Sequence, residues 1–128
     1  VLMPRSISAG LNDEHGIRLS EDYPAQLEDM EARGFPIIDF IEGQTPWYNP
    51  FTAEAHHLRR LEPIPGGLTY FILHAAEGSE ELRAFAPDWL QRHEEYRLFS
   101  DGTIGRGMDA AGIKRIGMRE LRDQLRAG

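Results

Sequence analysis

The sequence has 128 residues, with 14 Lys and Arg against 21 Asp and Glu, and it contains no cysteine. That length suits one domain of ordinary size, and a formal charge of −7 argues against nucleic-acid binding, which relies on a basic surface. The missing cysteines exclude disulfides, thiolate catalysis and cysteine-ligated zinc. No apolar run reaches the roughly 18 residues that a membrane span needs, and no signal-peptide pattern opens the sequence. We therefore expect a cytoplasmic protein that binds neither membrane nor nucleic acid.

Four short segments predict strands, and the β-branched and aromatic run at residues 36–41 is apolar on both faces, as in a covered parallel sheet. The predicted strands cover residues 1–3, 36–41, 68–74 and 113–116. Between and after them, apolar residues recur at helical spacing, with capping residues or prolines near the start of each run. The predicted helices begin near Tyr23, Thr52, Ser79, Pro87, Ile104 and Met118. Residues 6–22 and 42–51 are predicted to be loops.

A strand followed by helix occurs four times in this order. Such alternation predicts an α/β fold in which parallel strands are joined by right-handed crossovers, resembling half of a (β/α) barrel. No repeat or linker divides the sequence, so residues 1–128 are interpreted as one domain or one half-barrel. In such folds ligands bind beyond the carboxyl ends of the strands. The candidate positions are therefore Arg5, Asp39 or Glu42, residues 74–77, and the residues after Ile116.

His74 is the main catalytic candidate, because it ends a predicted strand and small residues follow it. Its unperturbed pKa of about 6.5 suits general acid–base chemistry near neutral pH. A histidine that only caps the strand and hydrogen-bonds the next loop would give the same pattern. Glu77, three residues later, is a candidate for substrate binding.

Asp39 lies inside an apolar predicted strand, where an unpaired carboxylate is costly. It either reaches a polar site at the end of the sheet, forms a buried pair with Arg5, or caps a neighbouring helix. Arg5 follows the first predicted strand, a position from which a guanidinium could bind a substrate hydroxyl or carboxylate. We treat both residues as candidates for substrate binding.

Trp47, Tyr48 and Phe51 form an aromatic loop between prolines, at the end of the sheet where ligands are expected. Aromatic faces suit sugar rings, so Trp47 and Tyr48 are candidates for substrate binding. A loop folded back on the core or on a partner chain is the alternative. His56 and His57 are adjacent on a predicted helix, so they point about 100° apart and do not converge on one metal ion.

Several short motifs recur in the order and spacing of a known family. They comprise a strand ending at His74, Glu81-Leu82-Arg83, Asp88-Trp89 before Arg92, Gly112-Ile113 with Ile116, and Arg119-Glu120-Leu121. Upstream, Leu2-Met3-Pro4-Arg5 and residues 34–39 match two further strand passages. Together these motifs resemble the carboxyl-terminal part of the YdjC-like carbohydrate deacetylases.

The resemblance implies a (β/α) barrel that hydrolyses the C–N amide bond of N-acetylated sugars or oligosaccharides with a divalent metal, Mg²⁺ or Zn²⁺. It also implies a role for His74 near the leaving group. The family holds its metal with an early Asp-Asp motif and two histidines, and neither has a counterpart in this sequence. We therefore identify no metal ligand. His74-Ala75-Ala76 also departs from the family's usual His-Pro-Gly.

The function expected from this resemblance is that of a carbohydrate deacetylase whose metal-binding half is missing, so that the chain alone is inactive. A non-catalytic module that binds a small ligand or a partner chain on the same scaffold is the alternative. A lone half-barrel exposes two sheet edges, which need a cover. The expected partners are a small carbohydrate and either a second copy of the chain or a missing amino-terminal half.

Overall fold

A computed structural model of the chain describes residues 3–8, 20–43 and 48–127. Within them, three parallel strands form one sheet in the order β1-β2-β3. The strands are β1 (Met3–Ile7), β2 (Ile37–Glu42) and β3 (Thr69–Phe71). Met3 pairs with Ile37 in the first ladder, and Phe40 pairs with Thr69 in the second. The fold is therefore mixed α/β, as the alternating pattern predicts.

Helices occupy most of the predicted helical segments in the described part of the chain. They are α1 (Tyr23–Ala32), α2 (Ala53–Arg59), α3 (Glu80–Phe85), α4 (Trp89–Ser100), α5 (Thr103–Ala110) and α6 (Met118–Ala127), with a 3₁₀ turn (Pro50–Thr52) before α2. Ser79 caps α3 as expected, because its Oγ accepts a hydrogen bond from the Leu82 N–H at 3.1 Å. None of the described helices is long and apolar enough to cross a bilayer.

The loop prediction at residues 6–7 and the strand prediction at residues 113–116 are wrong. β1 continues past Pro4 to Ile7, and Pro4 is tolerated because β1 lies at an edge of the sheet. Residues 113–117 are irregular rather than a fourth strand. The reason is local: Gly112 takes a left-handed φ of 71°, and the Ile113 N–H donates back to the Met108 carbonyl at 2.9 Å, which closes α5.

The apolar core lies where α2, α4 and α5 pack together beside the sheet. Its buried members are Ala53, Leu61, Leu98, Ile104 and Met108, and Phe71 of β3 packs against them. Gly107 of α5 faces Leu58, whose side chain fills the space that a larger residue would need. The core therefore fixes three helices on one side of the sheet, next to the carboxyl ends of β2 and β3.

Leu98→Ala should test this core. Leu98 is fully buried, so we expect its truncation to lower the free energy of unfolding by about 2–5 kcal/mol. Phe85, which is 76% exposed, supplies the control, and Phe85→Ala should cost no more than about 0.5 kcal/mol. Urea unfolding followed by circular dichroism measures both. Equal losses in the two variants would contradict the assigned core.

Candidate functional site

Charged and polar side chains are buried together at the carboxyl end of the sheet. Glu42 ends β2, while the other members come from α2, from the residue after α2, from α4 and from the loop before the 3₁₀ turn. This buried polar cluster consists of Glu42, Tyr48, His57, Arg60 and Glu95. The four ionisable members other than Tyr48 are each at most 5% exposed. Such burial is costly unless each group is paired, so the partners of each group decide what the cluster does.

Arg60 connects most of the cluster through its guanidinium. Its Nε donates to Glu42 Oε1 at 2.9 Å, and its Nη2 donates to the carbonyl of Ile72 at 3.0 Å. A third N–H, on Nη1, points to His57 Nδ1 at 3.2 Å. The planar group also lies 4.2 Å from the ring centroid of Phe71. One side chain thus ties the segment after α2 to the ends of both β2 and β3.

The contacts of His57 define which ring nitrogen carries its proton. A guanidinium can only donate, so Nδ1 accepts from Arg60 and the proton sits on Nε2. Nε2 lies 3.2 Å from Tyr48 Oη, which in turn donates to the carbonyl of Gln91 at 2.9 Å. Burial first, and then the charge of Arg60, lower the pKa of His57 to about 3. His57 is therefore neutral at neutral pH, in agreement with its hydrogen bonds.

Glu95 joins the cluster to His74. Its Oε1 lies 3.8 Å from His57 Nε2, and its Oε2 accepts a hydrogen bond from the backbone N–H of His74 at 2.7 Å. Burial raises the pKa of Glu95, although the nearby charge of Arg60 opposes that shift. Glu95 thus uses one oxygen to hold the loop that follows β3.

The loop after β3 lies along the first turns of α4 and is held there by alternate residues. The N–H groups of His74, Ala76 and Gly78 donate to Glu95, to the Arg92 carbonyl and to His93 Nδ1, at 2.7, 3.1 and 3.0 Å. His74 as a residue is half-buried. The backbone of this loop is therefore fixed by hydrogen bonds to three residues of α4.

Asp88 provides a second carboxylate near His74. It is buried and forms an ion pair with Arg92 at 2.8 Å. The hydrogen bond from Arg92 is the main cause of its lowered pKa, and the charge of His74 contributes as well. Asp88 is therefore paired with Arg92, whereas Glu95 binds the backbone of His74.

Arg5 and Asp39 form a separate group. Arg5 Nε lies 3.4 Å from Asp39 Oδ1, and Arg5 also pairs with Glu31 of α1. Asp39 Oδ2 accepts from the Leu68 N–H at 2.7 Å. The pairing of Arg5 with Asp39 is one of the arrangements considered from the sequence, but it is not buried, since both side chains are about 40% exposed. Their polar contacts involve α1 and the start of β3, and not the His74 loop.

The remaining candidate residues from the sequence lie in different surroundings. The Tyr48 ring stacks on His56 with 4.3 Å between centroids, so Tyr48 packs onto the core. Glu77 is exposed on the His74 loop, and Phe51 is 90% exposed. Trp47 lies outside the described residues. The ring planes of His56 and His57 lie at 83° to each other, with their centroids 5.0 Å apart.

Sequence reasoning missed the roles of His57, Arg60 and Glu95. A signal for His57 was present, because it falls four residues after Ala53 and four before Leu61, both of which are buried. Glu95 similarly precedes buried Leu98 by three residues. Polar residues at core-facing positions of amphipathic helices indicate buried networks. No comparable spacing marks Arg60, which follows the end of α2.

Arg60 occupies the space between Glu42 and His57, and its positive charge opposes a cation there. Across residues 3–8, 20–43 and 48–127, no group of three or more His, Asp or Glu side chains is arranged to hold a metal ion.

No protein-family model matches this chain, and no curated protein or solved structure shows significant similarity to it. The buried polar cluster, the His74 loop and the sequence motifs are therefore the features that bear on function.

Replacing Arg60 should be far more damaging than replacing Arg5. Arg60→Met leaves Glu42 buried without its charged partner, so we expect a loss of about 3–5 kcal/mol in the free energy of unfolding. Arg5→Met removes an exposed pair and should cost at most about 1 kcal/mol. Urea unfolding at pH 7 measures both variants. A loss for Arg60→Met as small as that for Arg5→Met would contradict the buried pair.

His57 makes stability depend on pH. Its folded pKa of about 3 lies below the ordinary value of 6.5, so the unfolded chain binds more protons between these values. The free energy of unfolding should therefore fall as the pH drops from 7 towards 3. Glu95 acts in the opposite direction, because its folded pKa is raised above 4.5.

Urea unfolding of the parent and of His57→Gln at several pH values measures the contribution of His57 to the pH dependence of stability. Glu95 is present in both proteins. The variant should lose less stability than the parent between pH 7 and pH 4. Parallel pH profiles would show that His57 has an ordinary pKa in the folded state.

Proposed function

We propose that this chain supplies a proton donor and part of the sugar-binding surface of a carbohydrate deacetylase, with His74 as the general acid. The observation that carries the proposal is the fixed loop at the carboxyl end of β3, where His74 is half-buried and its backbone N–H is bound by buried Glu95. In parallel α/β folds this end of the sheet is where ligands bind. The motifs of the second half supply the reaction class through their resemblance to YdjC-like deacetylases.

In this proposal His74 protonates the leaving group. Hydrolysis of an acetamido group breaks the C–N bond, and the departing amine must gain a proton. A backbone fixed by hydrogen bonds limits the positions open to the ring that it carries, which supports this role. The exposed carboxylate of Glu77, on the same loop, would bind sugar hydroxyls.

The proposed role is limited to these groups. The metal-binding motifs of the resembling family have no counterpart in this sequence, and the described residues contain no group of three or more side chains arranged to hold a metal ion. The three parallel strands support a larger parallel sheet in which further strands are added at the β1 edge. On this view the chain by itself binds sugar without releasing acetate.

The test is the release of acetate from N,N′-diacetylchitobiose by the complete gene product, with added Zn²⁺ or Mg²⁺. His74→Ala should lower kcat by about 10²–10⁴-fold with little change in KM, because a general acid acts in the transition state. Tyr96→Ala, an exposed substitution on α4, is the control and should keep the parent rate. A His74→Ala enzyme with full activity would remove the catalytic role of His74.

A second candidate function is a non-catalytic module that binds a partner chain. It is favoured by an open groove of about 800 Å³ that runs along β3 and is lined mainly by apolar residues. A complete gene product that releases no acetate with either metal, yet binds a partner through that groove, would favour this function over the deacetylase.

A further inference from the structure

The groove follows the free edge of β3. One wall is β3 with the turn before it, and the other is formed by residues 111–118 and Leu121 of α6. Thr69, Tyr70 and Phe71 all line it, although successive side chains of a strand point to opposite faces of the sheet. The groove therefore opens along the edge of the strand and not above one face only.

Backbone groups of β3 point into this groove. The Leu68 carbonyl accepts from Phe40 of β2, and the Ile72 N–H donates to the Glu42 carbonyl at 2.8 Å. In a parallel strand, alternate residues direct their backbone N–H and C=O groups towards the same neighbouring strand. Since Leu68 and Ile72 bond to β2, the N–H and C=O groups of Thr69 and Phe71 point away from β2. Within the described residues no strand pairs with that side. Thr69 Oγ1 is also buried without a hydrogen-bond partner.

The opposite wall is apolar and basic. Ile116 and Met118 are 41% and 58% exposed there. Lys114 and Arg115 line the groove, and Arg119 and Arg122 follow on α6 with one acidic residue, Glu120, between them, in a chain whose formal charge is −7. Two of the four, Arg115 and Arg122, contact Asp109 and Asp123. Lys114 and Arg119 have no ion pair among the residues that the structure describes.

We propose that this groove binds an extended acidic peptide segment of a partner protein, added as a strand along β3. The outward backbone groups of Thr69 and Phe71 would pair with the peptide backbone, which is the usual source of affinity in strand addition. The apolar walls accept alternate apolar side chains, and the basic wall selects acidic ones. A two-fold pairing of two copies through this edge would bring the basic walls together, which disfavours self-association.

The probe is an acetylated peptide in which Val alternates with Glu, and its matched control replaces every Glu with Lys. Binding is measured by fluorescence anisotropy and by amide resonances of the ¹⁵N-labelled chain. The Glu peptide should bind and slow hydrogen exchange at the Thr69 and Phe71 amides, whereas the Lys peptide should bind at least tenfold more weakly. Equal binding of both peptides, or shifts confined to another surface, would overturn the proposal.

Charge reversal locates the basic wall. The double variant Lys114→Glu with Arg115→Glu, both on the groove wall, should weaken binding of the Glu peptide by about tenfold or more, whereas Arg33→Glu, an exposed reversal at the end of α1, should not. Anionic phospholipid vesicles that bind the chain when the Glu peptide does not would overturn the proposal in favour of a lipid surface. A stable dimer that the double variant dissociates would also overturn it, in favour of a second copy.

Discussion

The packing of α2 against the sheet depends most on the contacts of the Arg60 guanidinium. It lies in a buried position where an unpaired charge would be costly, and it is stabilised by Glu42, by the Ile72 carbonyl and by the Phe71 ring. Each partner belongs to the carboxyl end of β2 or β3, so the segment after α2 is held against both strands. The same guanidinium fixes the tautomer of His57 by donating to Nδ1.

The hydrogen bonds of the buried polar cluster continue through Glu95 to the loop that carries His74. His57 is neutral and presents an N–H towards Tyr48 and Glu95, and Glu95 binds the His74 backbone. A polar network of this kind can fix a unique arrangement because a displaced member would leave a buried group without a partner. The proposed general acid thus depends on residues that never touch the substrate. The groove along β3 lies elsewhere, and its proposed role in binding a peptide does not depend on His74.

The sequence predicts those parts of the fold that local patterns determine. The helical spacing of Tyr23 and Leu27, the cap at Ser79 and the apolar run of β2 each appear as expected, because neighbouring residues decide them. Residues 113–116 do not form the predicted strand, because the Ile113 N–H donates to the last turn of α5. The β-branched side chain of Ile113 gives no indication of that hydrogen bond. The buried polar cluster depends on contacts between distant segments, such as Glu42 with Arg60, so no local pattern predicts it.

Glu95 holds the His74 loop through the backbone N–H of His74, and amide hydrogen exchange measures that contact. Glu95→Gln retains an oxygen that can accept from the His74 N–H, whereas Glu95→Leu keeps the volume and removes the acceptor. We expect exchange at His74 to be at least about tenfold faster in Glu95→Leu than in Glu95→Gln, while exchange at buried Leu98 changes equally in both. Equal protection of His74 in the two variants would contradict the account, since the loop would then be held without the carboxylate.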